Sequence, residues 1–129
     1  MIVADTNLLV YLLLPGDRTA KVQQFYIRDP DWVAPFLWRS ELINVLVTYL
    51  RAKKLELDIA LQLAAQGERI MQGRSYTLES QTILEVAERT GCSGYDSEFV
   101  ALAEYLNVPL VTYDEKILAR CGSIARKPW

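Results

Sequence analysis

The stretch MIVADTNLLVYLL, residues 1–13, reads as a strand that ends at a helix cap. Met1–Ala4 is short and apolar, and Asp5-Thr6-Asn7 stands where a helix over Thr6–Leu13 would begin, with Pro15-Gly16 as its stop. The same alternation continues outward. Arg18–Arg28 has Val22, Phe25 and Tyr26 at helical spacing, and Trp32–Ala34 reads as a second strand between Asp29-Pro30-Asp31 and Pro35. Helices are expected over Phe36–Ala52, Glu56–Gln72, Leu78–Arg89 and from Ser93-Gly94 to Leu106, the last broken by Asn107-Val108-Pro109. Short strands are expected at Tyr76-Thr77, Leu110–Thr112 and Ser123–Ala125, with a short helix over Asp114–Ala119. Strands alternating with helices imply a parallel sheet covered on both faces, so the fold class is α/β with about four or five short strands.

The chain has 129 residues, 51% of them hydrophobic, which suits one domain around one core; residues 1–126 form that domain and 127–129 a loose tail. The run Leu8–Leu14 is too short to span a bilayer and has no basic segment before it, so neither a membrane span nor a signal peptide is expected, and a cytoplasmic protein is. Cys92 and Cys121 have no metal-ligand spacing and read as reduced and structural. There is no histidine, which removes Ser-His-Asp and Cys-His catalysis, His-ligated zinc and any His acid/base pair. Net charge is −2, so a broad basic nucleic-acid surface is not expected either. Chemistry has to run on carboxylates, hydroxyls, basic residues and any cation they hold.

Four carboxylates stand out. Asp5 and Asp114 follow strands, where ligands bind in open α/β sheets. Asp96 lies early in a helix, and Glu41 sits among Leu37, Trp38, Leu42, Ile43, Val45 and Leu46, where a lone charge is costly unless exposed or partnered. Each also has a structural reading. Asp5 and Asp114 suit helix N-caps, Ser93 and Asp96 have capping-box spacing, and Glu41 fits an exposed helix start. As a set they would repel one another unless a hard divalent cation bound through oxygen lay between them. Glu98, two residues beyond Asp96, is expected to point elsewhere into solvent. Arg18, Lys21, Arg39 and Arg51-Ala52-Lys53-Lys54 are candidates for phosphate contacts or for a solvated face. Trp32, Phe36, Trp38 and Tyr49 read as core, with a partner groove as the alternative, and Trp129 has no account.

VADTNLLVYLL, Ser40-Glu41-Leu42 and GYDSEFVALAEYLNVPLVTYDEK resemble PIN-domain ribonucleases, and within them VapC-type toxins of toxin–antitoxin pairs, over essentially the whole chain. The resemblance implies a three-layer PIN-like sandwich with Asp5, Glu41, Asp96 and Asp114 as the catalytic and metal-binding acids, and Thr6, Asn7 and Thr112 as supporting polar groups. It implies Mg²⁺ or Mn²⁺ as cofactor, RNA as substrate with 5′-phosphate and 3′-hydroxyl products, a homodimer, and a cognate antitoxin covering the acid pocket. A PIN-like binding module that recruits a partner without cutting is the alternative. A haloacid-dehalogenase-like phosphatase would want a second Asp where Asn7 stands, and a receiver domain would want paired acids after its first strand and a late Lys; the sequence fits both poorly.

Overall fold

The computed structural model describes residues 1–129. Five strands, β1 (Ile2–Ala4), β2 (Trp32–Pro35), β3 (Ser75–Tyr76), β4 (Leu110–Val111) and β5 (Ala125–Arg126), form one sheet in the order β3-β2-β1-β4-β5. Every adjacent pair is parallel, as the alternation of strands and helices implied. Seven helices cover it: α1 (Thr6–Leu13), α2 (Thr19–Arg28), α3 (Leu37–Arg51), α4 (Leu57–Ile70), α5 (Ser80–Thr90), α6 (Gly94–Leu106) and α7 (Glu115–Arg120).

Strand β1 is central and buried on both faces, which is why it reads as three apolar residues without a polar partner. Alternation sends Ile2 and Ala4 to a smaller apolar cluster with Leu8, Val22, Phe25 and Trp32, and Val3 to the larger core on the opposite face. Trp32 is fully buried and meets the Phe25 and Tyr26 rings at 6.0 and 5.0 Å. The larger core is organised by α6, whose residues Phe99–Ala103 are all buried; Ala101 and Ala103 keep its girth small where it crosses β1 and β2. On α4, a side chain at Gly67 would begin 2.8 Å from Leu42 Cδ2, so any larger residue there would force the buried Leu42 side chain of α3 to shift. Asn107, at φ 55°, caps α6 in the left-handed region before Pro109, the break expected from the sequence.

Several boundaries differ from the sequence reading. Helix α5 starts at Ser80 rather than Leu78, because Leu78 packs against the core from the preceding loop. Strand β5 is Ala125–Arg126 rather than Ser123–Ala125, since the register is set by β4: Leu110 pairs with Ala125 and Val111 with Arg126. Phe36, read as core, is 59% exposed, whereas Trp32 and Trp38 are buried. Residues 127–129, read as a loose tail, fold back: Pro128 is buried and the Trp129 ring stands 5.6 Å from that of Tyr113. No helix is long and apolar enough to cross a membrane.

Candidate active site

The strand order reverses direction at β1. The chain leaves it toward β2 on one side and returns much later to β4 on the other, and such a switch point opens a crevice beyond the carboxyl ends of the strands. Asp5 directly follows β1 and Asp114 stands just beyond β4, the adjacent strand, so sheet pairing alone brings them to one edge. The first turn of α6 supplies Asp96, and α3 supplies Glu41. All four line one pocket of about 740 Å³, together with Thr6 and Asn7.

The capping role expected of Asp5 and Asp114 coexists with their place in the pocket. Asp5 Oδ1 accepts from the Thr6 N–H at 2.8 Å, and Asp114 Oδ1 accepts from the N–H groups of Lys116 and Ile117 at 2.9 and 3.0 Å. Of the capping box at α6 only half forms. The Asp96 N–H donates to Ser93 Oγ at 3.0 Å, and the Asp96 carboxylate faces the pocket instead of returning to Ser93.

Two threonines tie the acids together. The Thr112 hydroxyl, fully buried, donates to Asp5 Oδ2 at 2.6 Å while its oxygen accepts the Asp114 N–H at 2.9 Å, so one side chain fixes the positions of both strand-end acids. The Thr6 hydroxyl donates to Glu41 Oε1 at 2.6 Å, linking α1 to α3. Asn7 Nδ2 donates to Asp5 Oδ2 at 3.3 Å, and Asn7 Oδ1 is buried with no partner.

The electrostatics are those of acids crowded together and partly buried. Burial, opposed by the bonds from Thr112 and Thr6 and reinforced by the charges of Glu41 and Asp96, pushes the Asp5 carboxyl up to about 6. Burial also raises Glu41, the Thr6 bond opposing it and the charges of Asp96 and Glu98 adding to it. Asp96 is raised by burial and by the charge of Asp114, with the Ser93 bond, Lys116 and Arg120 acting the other way. Glu98, expected in solvent, is instead half-buried, and its charge reaches Glu41. The faces of α6 separate Glu98 from Asp96, but Glu41 comes from another helix and faces both charges.

These residues fit a hard divalent cation by the chemistry of the donor set. The pocket is lined by four carboxylates, and Asn7 beside them carries a buried Oδ1 with no partner. As placed, no three of its acids converge closely enough to hold one ion directly. Mg²⁺ does not need three, because it is commonly held by one or two carboxylates and keeps several waters.

Of the basic candidates, Arg39 pairs with Glu68 across α3 and α4 at 3.4 Å and does not line the pocket, while Arg18 lies over the rings of Tyr11, a pocket residue, and Tyr113, and Lys21 lies over that of Trp129. Sequence reasoning missed Asn44 and Tyr95 as pocket walls. Asn44 follows Glu41 by three residues on α3 and so shares its face, a signal that was present in the spacing. Tyr95 is a large exposed aromatic in the first turn of α6, indistinguishable in sequence from an ordinary core position.

Comparison with known proteins agrees with this architecture. The structure superposes on the crystal structure of PAE2754 from Pyrobaculum aerophilum with a TM-score of 0.77 at 19% identity, covering 96% of this chain and 81% of that one. It superposes on that of FitAcB from Neisseria gonorrhoeae with a TM-score of 0.75 at 17% identity, covering 100% and 99%. At such identities the likeness is one of fold. No curated protein sequence matches the chain. The PIN domain family model matches residues 2–122, nearly the whole length, and the chain belongs to the PIN-domain family.

Proposed function

We propose that the protein is a divalent-metal-dependent endoribonuclease acting as the toxin of a toxin–antitoxin pair. The observation that carries this reading is the set of four carboxylates from β1, α3, α6 and β4 around one open pocket, three of them raised above their ordinary values by burial and mutual repulsion. A site that disfavours its own charges is suited to binding a cation and the phosphate that accompanies it. In this reading Asp5, Asp96 and Asp114 hold the ion, with Glu41 as ligand or as orienter of the attacking water.

When bound, Mg²⁺ or Mn²⁺ supplies charge neutralisation at the phosphate and lowers the pKa of a coordinated water. The chain's own residues prepare the ground for that. Thr112 keeps Asp5 and Asp114 in fixed relation, and Thr6 keeps Glu41 turned toward Asp5. Because a hydrogen bond to the ionised form favours it, both threonines also hold their carboxylates in the state a cation needs. The substrate's 2′-hydroxyl has no role in a water attack, so preference for RNA must come from binding rather than chemistry.

The antitoxin and a second copy of the chain are part of the proposal. The pocket rim is partly apolar, with Val10, Leu37, Val45 and Tyr49, and a partner segment that covers it would close off the acids.

The test is cleavage of total cellular RNA with Mn²⁺, with Mg²⁺ and with EDTA, beside the Asp96→Asn variant. Discrete metal-dependent cuts lost in the variant support the proposal. A folded, antitoxin-free protein that cuts nothing under any metal moves the chain to the non-cleaving binding module.

A further inference from the structure

Trp129 has no part in the fold's interior, yet it belongs to a continuous row of rings. Tyr11 lines the acid pocket; the Tyr113 ring meets Tyr11 edge-on at 5.3 Å, and Trp129 meets Tyr113 at 5.6 Å. Two cations lie along the row. The Arg18 guanidinium stands 4.1 Å from the Tyr113 centroid and 5.1 Å from that of Tyr11, and Lys21 Nζ is 5.5 Å from that of Trp129. Neither cation is within ion-pair reach of any carboxylate. Arg18 is further fixed by donating one N–H to the Tyr11 hydroxyl at 3.2 Å, which leaves its remaining donors unused.

We propose that Tyr113 and Trp129, with Arg18 and Lys21, form a subsite that receives the single-stranded nucleic acid leading into the acid pocket. Bases stack on the exposed Trp129 and the phosphates between them meet the two cations. The subsite rests on the nuclease reading above and gives it a substrate form, unpaired RNA.

The physical case has three parts. Ring faces joined to a track of positive charge are how proteins hold single strands without reading sequence. The cations are free to meet phosphate, because Arg18 and Lys21 stand along the ring row with no carboxylate partner. The distances also suit a strand. The row from Tyr11 to Trp129 spans at most about three stacked nucleotides at roughly 3.4 Å each. Duplex RNA, whose bases are stacked on both sides except at its two ends, gains little from such a row.

Trp129 supplies its own readout. The other two tryptophans, Trp32 and Trp38, are 0% and 5% exposed, while Trp129 is 52% exposed, so a change in tryptophan emission on adding RNA reports on Trp129. The experiment titrates a single-stranded RNA dodecamer, and the same sequence as a blunt duplex, into Asp96→Asn protein with Mg²⁺. Trp129→Leu, Trp129→Phe, Arg18→Gln and Lys21→Gln are each placed in that background, and wild-type cleavage is assayed in parallel.

The single strand should quench the emission and the duplex should not. Trp129→Leu should weaken single-strand binding by about five- to a hundredfold, the range of base–aromatic stacking, and Trp129→Phe should restore most of it. Each cation removed should lower the slope of log Kd against log salt by about 0.7. Unchanged affinity in Trp129→Leu overturns the subsite while leaving the nuclease reading standing. Lost affinity in Trp129→Leu with no emission change on binding also overturns it, since the ring then only packs the surface. A wild-type protein that neither binds nor cuts RNA removes the nuclease reading and the subsite with it.

Discussion

Replacing Asp5 by asparagine should stabilise the metal-free protein at neutral and alkaline pH. In the folded chain the Asp5 carboxyl is held at about 6 against an ordinary 3.8, so at pH 8 the folded state carries an ionised group it disfavours by about 3 kcal/mol. The sign follows from which state holds the proton more tightly. The folded state does, so Asp5's contribution to stability is full below about 3.8 and is lost as pH rises through about 6. Asparagine removes the charge but keeps the oxygen that accepts the Thr6 N–H, while its amide meets the Thr112 hydroxyl and Asn7 Nδ2 as a donor. Discounting about 1 kcal/mol for those altered bonds leaves a net gain of about 2 kcal/mol in EDTA at pH 8. Urea denaturation would show this as a midpoint raised by roughly 1 M for a slope near 2 kcal/mol/M. At pH 4.5 the wild-type protein recovers about 2 kcal/mol from this group alone, and the variant's advantage should vanish. A variant less stable than wild type at pH 8, or an advantage that does not change with pH, would refute the account of Asp5 as a buried, frustrated acid.

Adding Mg²⁺ at 100 times its dissociation constant should raise wild-type stability at pH 8 by about 2.7 kcal/mol, read as a midpoint shift, and the shift should shrink sharply in Asp5→Asn. Thr112→Val should cost about 2–3 kcal/mol, because the buried Asp5 Oδ2 loses its short hydrogen bond and the Asp114 N–H its acceptor. It should also move the rising limb of the pH–cleavage profile to higher pH, since the bond that opposes Asp5's raised pKa is gone; an unmoved limb would separate Thr112 from the site. Leu102→Ala, in the middle of α6 and fully buried, should lower stability by about 2–5 kcal/mol by equilibrium unfolding without altering which RNA sites are cut.

What the sequence made legible was whatever is written locally. The apolar triplet before Asp5, the Ser93-Gly94 start of α6 and the Asn107-Val108-Pro109 stop each act within a few residues, and each stands where the reading put it. Features fixed by distant partners were not legible. The limits of β5 depend on pairing with β4, and the apolar Leu78 looked helical though it belongs to a loop packed on the core. Strand-end logic placed Asp5 and Asp114 together. That Glu41 and Asp96 face the same pocket needed the family resemblance, because nothing in either helix names its neighbour across space. Glu98 escaped for the same reason: periodicity along α6 says nothing about a charge arriving from α3. Trp129 was unreadable because its partners, Tyr113 and Lys21, are remote from it in the chain.

The bond from Thr112 to Asp5 joins residues 107 positions apart, between two strands that touch in the sheet. A ribosome that has made β1, α3 and α6 has therefore not yet made the pocket. Until β4 emerges and pairs with β1, Asp5 lacks its buried hydrogen-bond donor and Asp114 does not exist. The bond joins the assembly of the pocket to completion of the sheet, and closing so long a loop costs chain entropy that no local contact repays. Whatever these acids do, a chain truncated before β4 cannot do it, so a cell making the protein meets the assembled pocket only once the sheet is complete.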